Sequence, residues 1–91
     1  MSVDVQTTQT LQLADLIEFV AVAKYRSFAQ AAARLGVSPP ALTQTIRAVE
    51  ERLGLRLFNR TVRHAAPTPA GERLLASLRP VLEKLQPALE E

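Results

Sequence analysis

The sequence predicts a mostly α-helical fold, in which a three-helix core and two short β-strands precede one long C-terminal helix. Three observations support this class. Apolar residues recur at intervals of three and four along four separate stretches, which is the period of an α-helix. Ser27, Ser38 and Thr68 stand as N-caps before three of these stretches, and Pro39 and Pro69 occupy first helical positions. Between the third and fourth stretches, two short extended segments surround a charged loop.

Length and composition restrict the class of protein. Ninety-one residues make one small domain, which buries roughly 60–65% of its unfolded surface. The chain has no cysteine, which excludes a disulfide framework and a thiolate metal site, and we expect neither a metal nor a cofactor. It also has no long apolar run and no secretory leader, so we expect a soluble, cytoplasmic protein without a membrane partner.

The charge is unevenly distributed along the chain. The net charge is only +2, but residues 24–63 contain eight Lys and Arg residues against two Glu residues, a net +6. Seven of these eight basic residues are arginine, whose planar guanidinium binds phosphate oxygens in pairs. This distribution favours a phosphate-bearing partner.

The first helix is predicted to follow a polar leader. Residues 1–10 lack apolar periodicity and are predicted to be mobile, and residues 11–67 then form the core domain. The helix is expected to begin near Leu11, with Thr10 as the candidate N-cap. Its apolar face is broad, which is typical of a helix packed centrally in a small bundle, and contains Leu13, Leu16, Ile17, Phe19, Val20, Val22 and Ala23.

The second and third helices are predicted to form a helix-turn-helix. Ser27 and Gln30 match a capping box at the start of the second helix. Gly36 is suited to the left-handed residue that ends it. Only Gly36, Val37 and the Ser38 cap separate the two helices, which is the short glycine turn of this motif.

The third helix has one apolar and one polar side. Its apolar stripe consists of Leu42, Ile46, Val49 and Leu53. The opposite side of its first turns lacks acidic residues and carries Pro39, Pro40, Thr43, Gln44 and Arg47. By itself this pattern also fits an ordinary amphipathic surface helix. The flanking segments favour a helix that reads the major groove of DNA, with backbone N–H groups at its start available to a phosphate.

The two short strands are predicted to form a β-wing. An extended segment at 55–58 and a second at 65–67 would flank a basic loop at 59–64. Arg60 and Arg63 are expected at the tip of this loop, where they could clamp phosphates. Isolated loop arginines are usually only solvated, but the position beside a helix-turn-helix favours contact with DNA.

The fourth helix, within residues 68–91, is predicted to be a dimerisation arm. About 22 residues would make it roughly 33 Å long, more than a small bundle needs. One stripe has the alternating spacing of a coiled coil and a second lies beside it. The residues expected to dimerise are Leu74, Leu78, Val81, Leu82, Leu85 and Leu89.

Three features of the sequence are unfavourable for a straight, stable fourth helix. Pro80 is expected to kink the helix near residues 76–80, and Pro87 to fray its end. Glu90 and Glu91 oppose the helix dipole at the C-terminus, from which we expect the chain to be part of a longer protein.

The chain resembles the N-terminal domain of a known family, the LysR-type transcriptional regulators. The match extends from about residue 11 to the end, and three motifs make it specific: Ser38-x-Pro40-Ala41-Leu42, Leu53-Gly54-x-x-Leu57-Phe58-x-Arg60 and Thr68-Pro69-Ala70-Gly71. The resemblance implies a winged helix-turn-helix with a linker helix that dimerises. It also implies binding to inverted repeats, tetramers of the full-length form, and a sensor domain absent from this chain that would bind a small-molecule inducer.

Two residues depart from the pattern of the family. Pro39 stands where glutamine is frequent, and Gln44 stands where arginine is frequent. Proline can contact only apolar groups such as a thymine methyl, whereas glutamine can pair with adenine through two hydrogen bonds. Gln44 is therefore the best candidate base reader, while Ser38, Thr43 and Arg47 could contact either a base or a phosphate.

Two other function classes remain as alternatives. The same fold could serve as a helical protein-interaction module, in which the dimer arm would be the main feature. An enzyme is disfavoured because His64 is the sole histidine, no cysteine is present, and the carboxylates lack the partners of an acid–base pair. We expect His64 to be merely solvated.

Overall fold

The computed structural model describes residues 12–61 and 64–90, with the backbone alone for residues 82 and 85–90. The predicted fold class is confirmed, since the described residues form four helices and one two-stranded antiparallel sheet. In chain order the elements are α1 Leu13–Tyr25, α2 Phe28–Leu35, α3 Pro39–Leu53, β1 Phe58–Arg60, β2 Ala65–Pro67 and α4 Pro69–Glu90. The predicted leader lies outside the described residues.

Helix α1 begins two residues later than predicted, and the expectation of Thr10 as its cap is wrong. Gln12 occupies the N-cap position with extended backbone. The Asp15 carboxylate accepts a hydrogen bond from the Gln12 N–H at 3.3 Å. An acidic residue in the first turn thus satisfies a backbone donor that the helix leaves unpaired.

The predicted helix-turn-helix is confirmed in its local details. The Ser27 hydroxyl accepts from the Gln30 N–H at 3.1 Å and so caps α2. Gly36 adopts the left-handed conformation, with φ of 75°, and ends that helix. The Ser38 hydroxyl accepts from the Ala41 N–H at 3.2 Å and starts α3. These are contacts over three residues, which is why the sequence could predict them.

The core lies where the three helices meet the base of the wing. The largest fully buried side chains are Phe19, Val22, Leu42, Ile46, Leu57 and Phe58. Phe58 packs against Phe19 and Phe28, with ring centroids 5.4 and 6.0 Å apart. Ala31 and Ala32 of α2 are completely buried, and their small size allows the neighbouring helices to approach closely.

The wing is shorter than predicted and shifted toward its tip. Strand β1 begins at Phe58, where it pairs with Pro67, and it ends at Arg60, where it pairs with Ala65. The prediction of an extended strand at 55–58 is wrong for residues 55–57, and Asn59 belongs to β1 rather than to the loop. The physical reason is that the N–H groups of Leu57 and Phe58 donate to a side chain of α3 instead of to a strand.

That side chain is Glu50, near the end of α3. Its Oε2 atom accepts from the N–H groups of Leu57 at 2.8 Å and Phe58 at 3.2 Å. Its Oε1 atom accepts from the Arg60 guanidinium at 3.0 Å. One half-buried carboxylate thus ties α3 to β1, the first strand of the wing.

Thr68 and Gly71 tie the start of α4 to the same segment. The buried Thr68 hydroxyl donates to the Arg56 carbonyl and accepts from the Gly71 N–H at 3.1 Å. The Thr68 N–H donates to the Leu57 carbonyl at 2.9 Å. A Cβ atom on Gly71 would lie 2.3 Å from that same carbonyl oxygen, so this position accommodates only glycine without a shift of the backbone.

Helix α4 extends from Pro69 to Glu90 and is helical through both Pro80 and Pro87. The kink expected near residues 76–80 stays a prediction. Leu74, Leu75 and Leu78 pack partly buried against the core of the domain. No helix among the described residues is long and apolar enough to span a membrane.

Replacement of Gly71 by alanine should destabilise the fold. Alanine gains about 1 kcal/mol of helix propensity over glycine, but its methyl group would collide with the Leu57 carbonyl. Because the colliding atom is backbone, we expect a net loss of about 1–3 kcal/mol in the free energy of unfolding, measured with urea. Gly36→Ala is the comparison variant. A Cβ atom there would meet no atom within 4 Å, so only the left-handed backbone should destabilise the fold, by about 1 kcal/mol. A Gly71→Ala variant as stable as the original chain would contradict the close approach.

Replacement of Glu50 by glutamine should also destabilise the fold, by about 2 kcal/mol. A glutamine amide has one acceptor oxygen and one donor nitrogen, so it cannot serve both Arg60 and the two backbone N–H groups. Chemical denaturation measures the loss. Glu51→Gln is the matched control, because the exposed Glu51 side chain lies one residue away on the same helix. Equal stabilities of the two variants would show that the Glu50 contacts are not needed.

Candidate nucleic-acid interface

The acid-free side of α3 is exposed to solvent, whereas its opposite stripe is buried. Pro39, Pro40, Gln44 and Arg47 are exposed, and Thr43 is half-buried. These five side chains line one shallow, open concavity, which we call the reading face. Leu42, Ile46 and Val49 point the other way, into the core. The reading face therefore projects from the domain on a helix that is rigidly packed behind it.

The sequence predicts that N–H groups at the start of α3 could hold a phosphate, but the structure leaves few of them available. Pro39 and Pro40 have no N–H. The next two N–H groups are used within the helix cap: Ala41 donates to the Ser38 hydroxyl and Leu42 donates to the Ser38 carbonyl at 3.0 Å. Of the four N–H groups that the start of a helix leaves without an intrahelical partner, the two prolines lack theirs and Ala41 uses its own in the cap, which leaves the Ser38 N–H. Contacts with a phosphate near this end would therefore come mainly from side chains, including the exposed Ser38, whose hydroxyl can still donate.

Arg60 lies at the end of β1 rather than at the tip of the wing. Its guanidinium pairs with Glu50 and lies over the Phe28 ring, 4.9 Å from the ring centroid. The side chain is 22% exposed. Desolvation by burial lowers the pKa of Arg60, the Glu50 charge opposes this shift, and the charges of Arg47 and Arg56 add to it. Arg63, the other arginine predicted for the wing, lies outside the described residues.

A second concavity separates the C-terminal half of α3 from the segment that leads into the wing. We call it the arginine cleft, because Arg47, Arg56 and Arg60 all line it; the other lining residues are Glu50, Glu51, Gly54 and Leu55. Arg47 borders both this cleft and the reading face. Sequence reasoning singled out Arg47 and Arg60 but not Arg56, which has no periodic pattern to mark it.

The residues predicted to dimerise fall into three groups. Leu74 and Leu78 are partly buried against the core of their own domain. Val81 is 53% exposed, and on α1 the apolar Leu13 and Ile17 are also exposed. The side chains of Leu82, Leu85 and Leu89 lie outside the described residues.

Within the part of the chain that the structure describes, no group of three or more His, Cys, Asp or Glu side chains could hold a metal ion. His64 is exposed beside the wing loop, and its N–H donates to the Thr61 hydroxyl at 3.0 Å. Its backbone carbonyl accepts from the Thr61 N–H at 2.8 Å. The backbone of His64 thus helps to close the wing loop.

Comparison with known proteins agrees with this geometry. Residues 13–72 match the sequence profile of a family described as bacterial regulatory helix-turn-helix proteins, lysR family. The HTH-type transcriptional regulator PgrR of Escherichia coli is 53% identical over 78 residues, and a putative transcriptional regulator of Pseudomonas aeruginosa is 47% identical over 79 residues. These alignments cover 86% and 87% of this chain but 26% of each relative, so the chain spans about a quarter of their length.

Solved structures show the same fold. The DNA-binding domain of BenM in complex with benA site 1 DNA superposes with a TM-score of 0.78 at 31% identity, covering 88% of this chain and 93% of that one. The corresponding domain of CbnR in complex with DNA gives a TM-score of 0.77 at 35% identity, covering 88% and 92%. Since the family profile matches well over half of the residues, the chain belongs to the LysR family of bacterial helix-turn-helix regulatory proteins.

Proposed function

We propose that this chain binds double-stranded DNA sequence-specifically as the DNA-binding part of a LysR-type transcriptional regulator. The observation that carries the proposal is the reading face. It is an exposed, acid-free surface on a helix whose opposite side is fully buried. Helix α3 has 15 residues and is about 22 Å long, and a helix fits the major groove of B-DNA.

Solved relatives support this proposal. The DNA-binding domains of BenM and CbnR were solved in complexes with DNA, and both resemble this chain in fold over most of its length. The match with the lysR family supports the regulatory role. The family and its relatives are transcriptional regulators, which agrees with a protein that is not an enzyme.

Within the reading face, each side chain has a separate role in the proposed complex. Gln44 would read adenine through its amide, which has a donor NH2 group and an acceptor oxygen. Pro39 and Pro40 present apolar rings that suit a thymine methyl. Thr43 and Ser38 contribute hydroxyl groups to a base edge or a phosphate. A preference for A·T over G·C pairs under Gln44 follows from this chemistry.

The wing supplies contacts with the DNA backbone in this proposal. The part of Arg60 that Glu50 and Phe28 leave exposed would face a phosphate, and Arg63 would do the same from the loop. Phosphate contacts fix the position of the protein on the duplex and do not discriminate between sequences.

The full-length regulator is proposed to act as a homodimer, assembled through α4, on an inverted repeat in the cytoplasm. The exposed Val81 supports this arrangement, because it continues the stripe of Leu74 and Leu78 beyond the domain core. Leu82, Leu85 and Leu89 complete the proposed seam. A tetramer and the binding of a small-molecule inducer would depend on the sensor domain of the full-length regulator.

Replacement of Gln44 by alanine should reduce affinity for the specific duplex and leave affinity for scrambled DNA unchanged. The specific duplex is first identified by selection of bound sites from random DNA. The loss of two hydrogen bonds to a base should weaken specific binding by roughly 10- to 100-fold, measured by fluorescence anisotropy. Gln30→Ala on the exposed side of α2 is the matched control and should have no effect.

Two results would count against these assignments. Equal losses on specific and scrambled DNA would remove Gln44 as a base reader. If the unmodified chain binds no duplex even at low ionic strength, DNA binding itself is excluded, and the protein-interaction module becomes the better hypothesis.

Replacement of Val81 by lysine should weaken dimerisation without unfolding the domain. A charge at this half-exposed apolar position would be desolvated in the proposed interface but remains hydrated in the monomer. We expect the dissociation constant of the dimer to rise by at least tenfold, measured by analytical ultracentrifugation. Ala76→Lys is the control, because Ala76 is exposed about 140° away around the same helix. If both variants dimerise as the original chain does, the seam does not include Val81.

A further inference from the structure

The arginine cleft has positive charge that its internal ion pair does not neutralise. Arg47, Arg56 and Arg60 line it together with Glu50 and Glu51. Both oxygens of Glu50 are occupied, one by Arg60 and the other by two backbone N–H groups. The Arg60–Glu50 pair is internally neutral, which leaves Arg47 and Arg56 against the exposed Glu51.

Arg47 and Arg56 are the accessible arginines of this cleft. Both side chains are exposed, whereas Arg60 is held by Glu50 and the Phe28 ring. The charges of Arg47 and Arg56 both lower the pKa of Arg60, in agreement with the lining of the cleft, which brings both side chains near Arg60. An anion bound in this solvent-open cleft is stabilised by the charges of both exposed guanidinium groups.

The backbone under Arg56 is held at several points. The Leu55 N–H donates to the Glu50 carbonyl at 3.1 Å, and the Leu57 N–H donates to the Glu50 carboxylate. The Arg56 carbonyl itself accepts from the Thr68 hydroxyl. The side chain of Arg56 therefore extends from a fixed backbone, so less conformational entropy is lost when it binds a ligand.

Resting on the proposed function, we propose that Arg47 and Arg56 clamp one phosphodiester group of the DNA backbone, beside the bases that the reading face contacts. Arg47 lines both concavities and so joins the base-reading surface to the phosphate site. Arg56 lies off the helix, in the segment between Gly54 and the wing. Guanidinium groups bind phosphate oxygens through paired hydrogen bonds, and of the four N–H groups at the start of α3 only that of Ser38 is left for this role.

The test compares Arg56→Ala, Arg56→Lys and Arg73→Ala with the unmodified chain. Affinity for the selected duplex and for scrambled DNA is measured by fluorescence anisotropy over a series of salt concentrations. Arg56→Ala should weaken binding to both duplexes about tenfold and reduce the slope of log K against log salt by about 0.9. Arg56→Lys keeps the charge and should retain most of the slope. Arg73→Ala removes the same charge from an exposed position on α4 and should change neither value.

Each outcome separates this inference from the proposed function. If the unmodified chain binds DNA and Arg56→Ala leaves affinity and salt slope unchanged, the phosphate site is excluded while DNA binding stands. Equal effects of Arg56→Ala and Arg73→Ala would show that affinity depends only on the net charge of the protein, and would also exclude the site. If the unmodified chain binds no duplex, both proposals fail. Thermal unfolding should show Arg56→Ala as stable as the original chain, because the backbone bond to Thr68 is retained.

Discussion

The Glu50 carboxylate is the contact on which the arrangement of α3 and the wing depends. It receives three donors that follow it by seven, eight and ten residues, two from the backbone of Leu57 and Phe58 and one from Arg60. Hydrogen bonds to an ionised acceptor are about twice as strong as neutral ones, and a half-buried position protects them from water. Because Glu50 belongs to the same helix as the reading face, this single side chain fixes the wing relative to the surface proposed to enter the major groove.

A second set of contacts joins the same segment to α4. Thr68 binds the carbonyl groups of Arg56 and Leu57, and Gly71 permits the helix to approach Leu57 closely. The segment between α3 and β1 is therefore held from both sides, by α3 and by α4. In a dimer assembled through α4, this rigid connection would determine how far apart the two reading faces lie, and hence the spacing of the two half-sites.

The two prolines at the start of α3 favour formation of the helix but weaken its N-terminus as an anion-binding site. Two consecutive prolines favour the first turn of a helix, because their missing N–H groups have no partner there in any case. The same prolines, together with the Ser38 cap, remove three of the four backbone donors that make a helix N-terminus an anion site. Binding of phosphates then depends mainly on side chains, which gives a physical reason for the many arginines in this part of the chain.

The sequence by itself determined the helices, their caps at Ser27 and Ser38, the left-handed turn at Gly36 and the exposed reading face. All of these depend on contacts within three or four residues or on the helical period, so the local pattern is sufficient. Only the tertiary structure decided that Glu50 holds the wing, that Arg60 supports it from β1, and that Arg56 joins Arg47 in a cleft. These contacts link residues seven or more apart and partly use backbone groups, which have no residue-specific signal. A glutamate or an arginine in the sequence looks the same whether it is solvated or buried against a partner, and only the packing of the chain distinguishes the two.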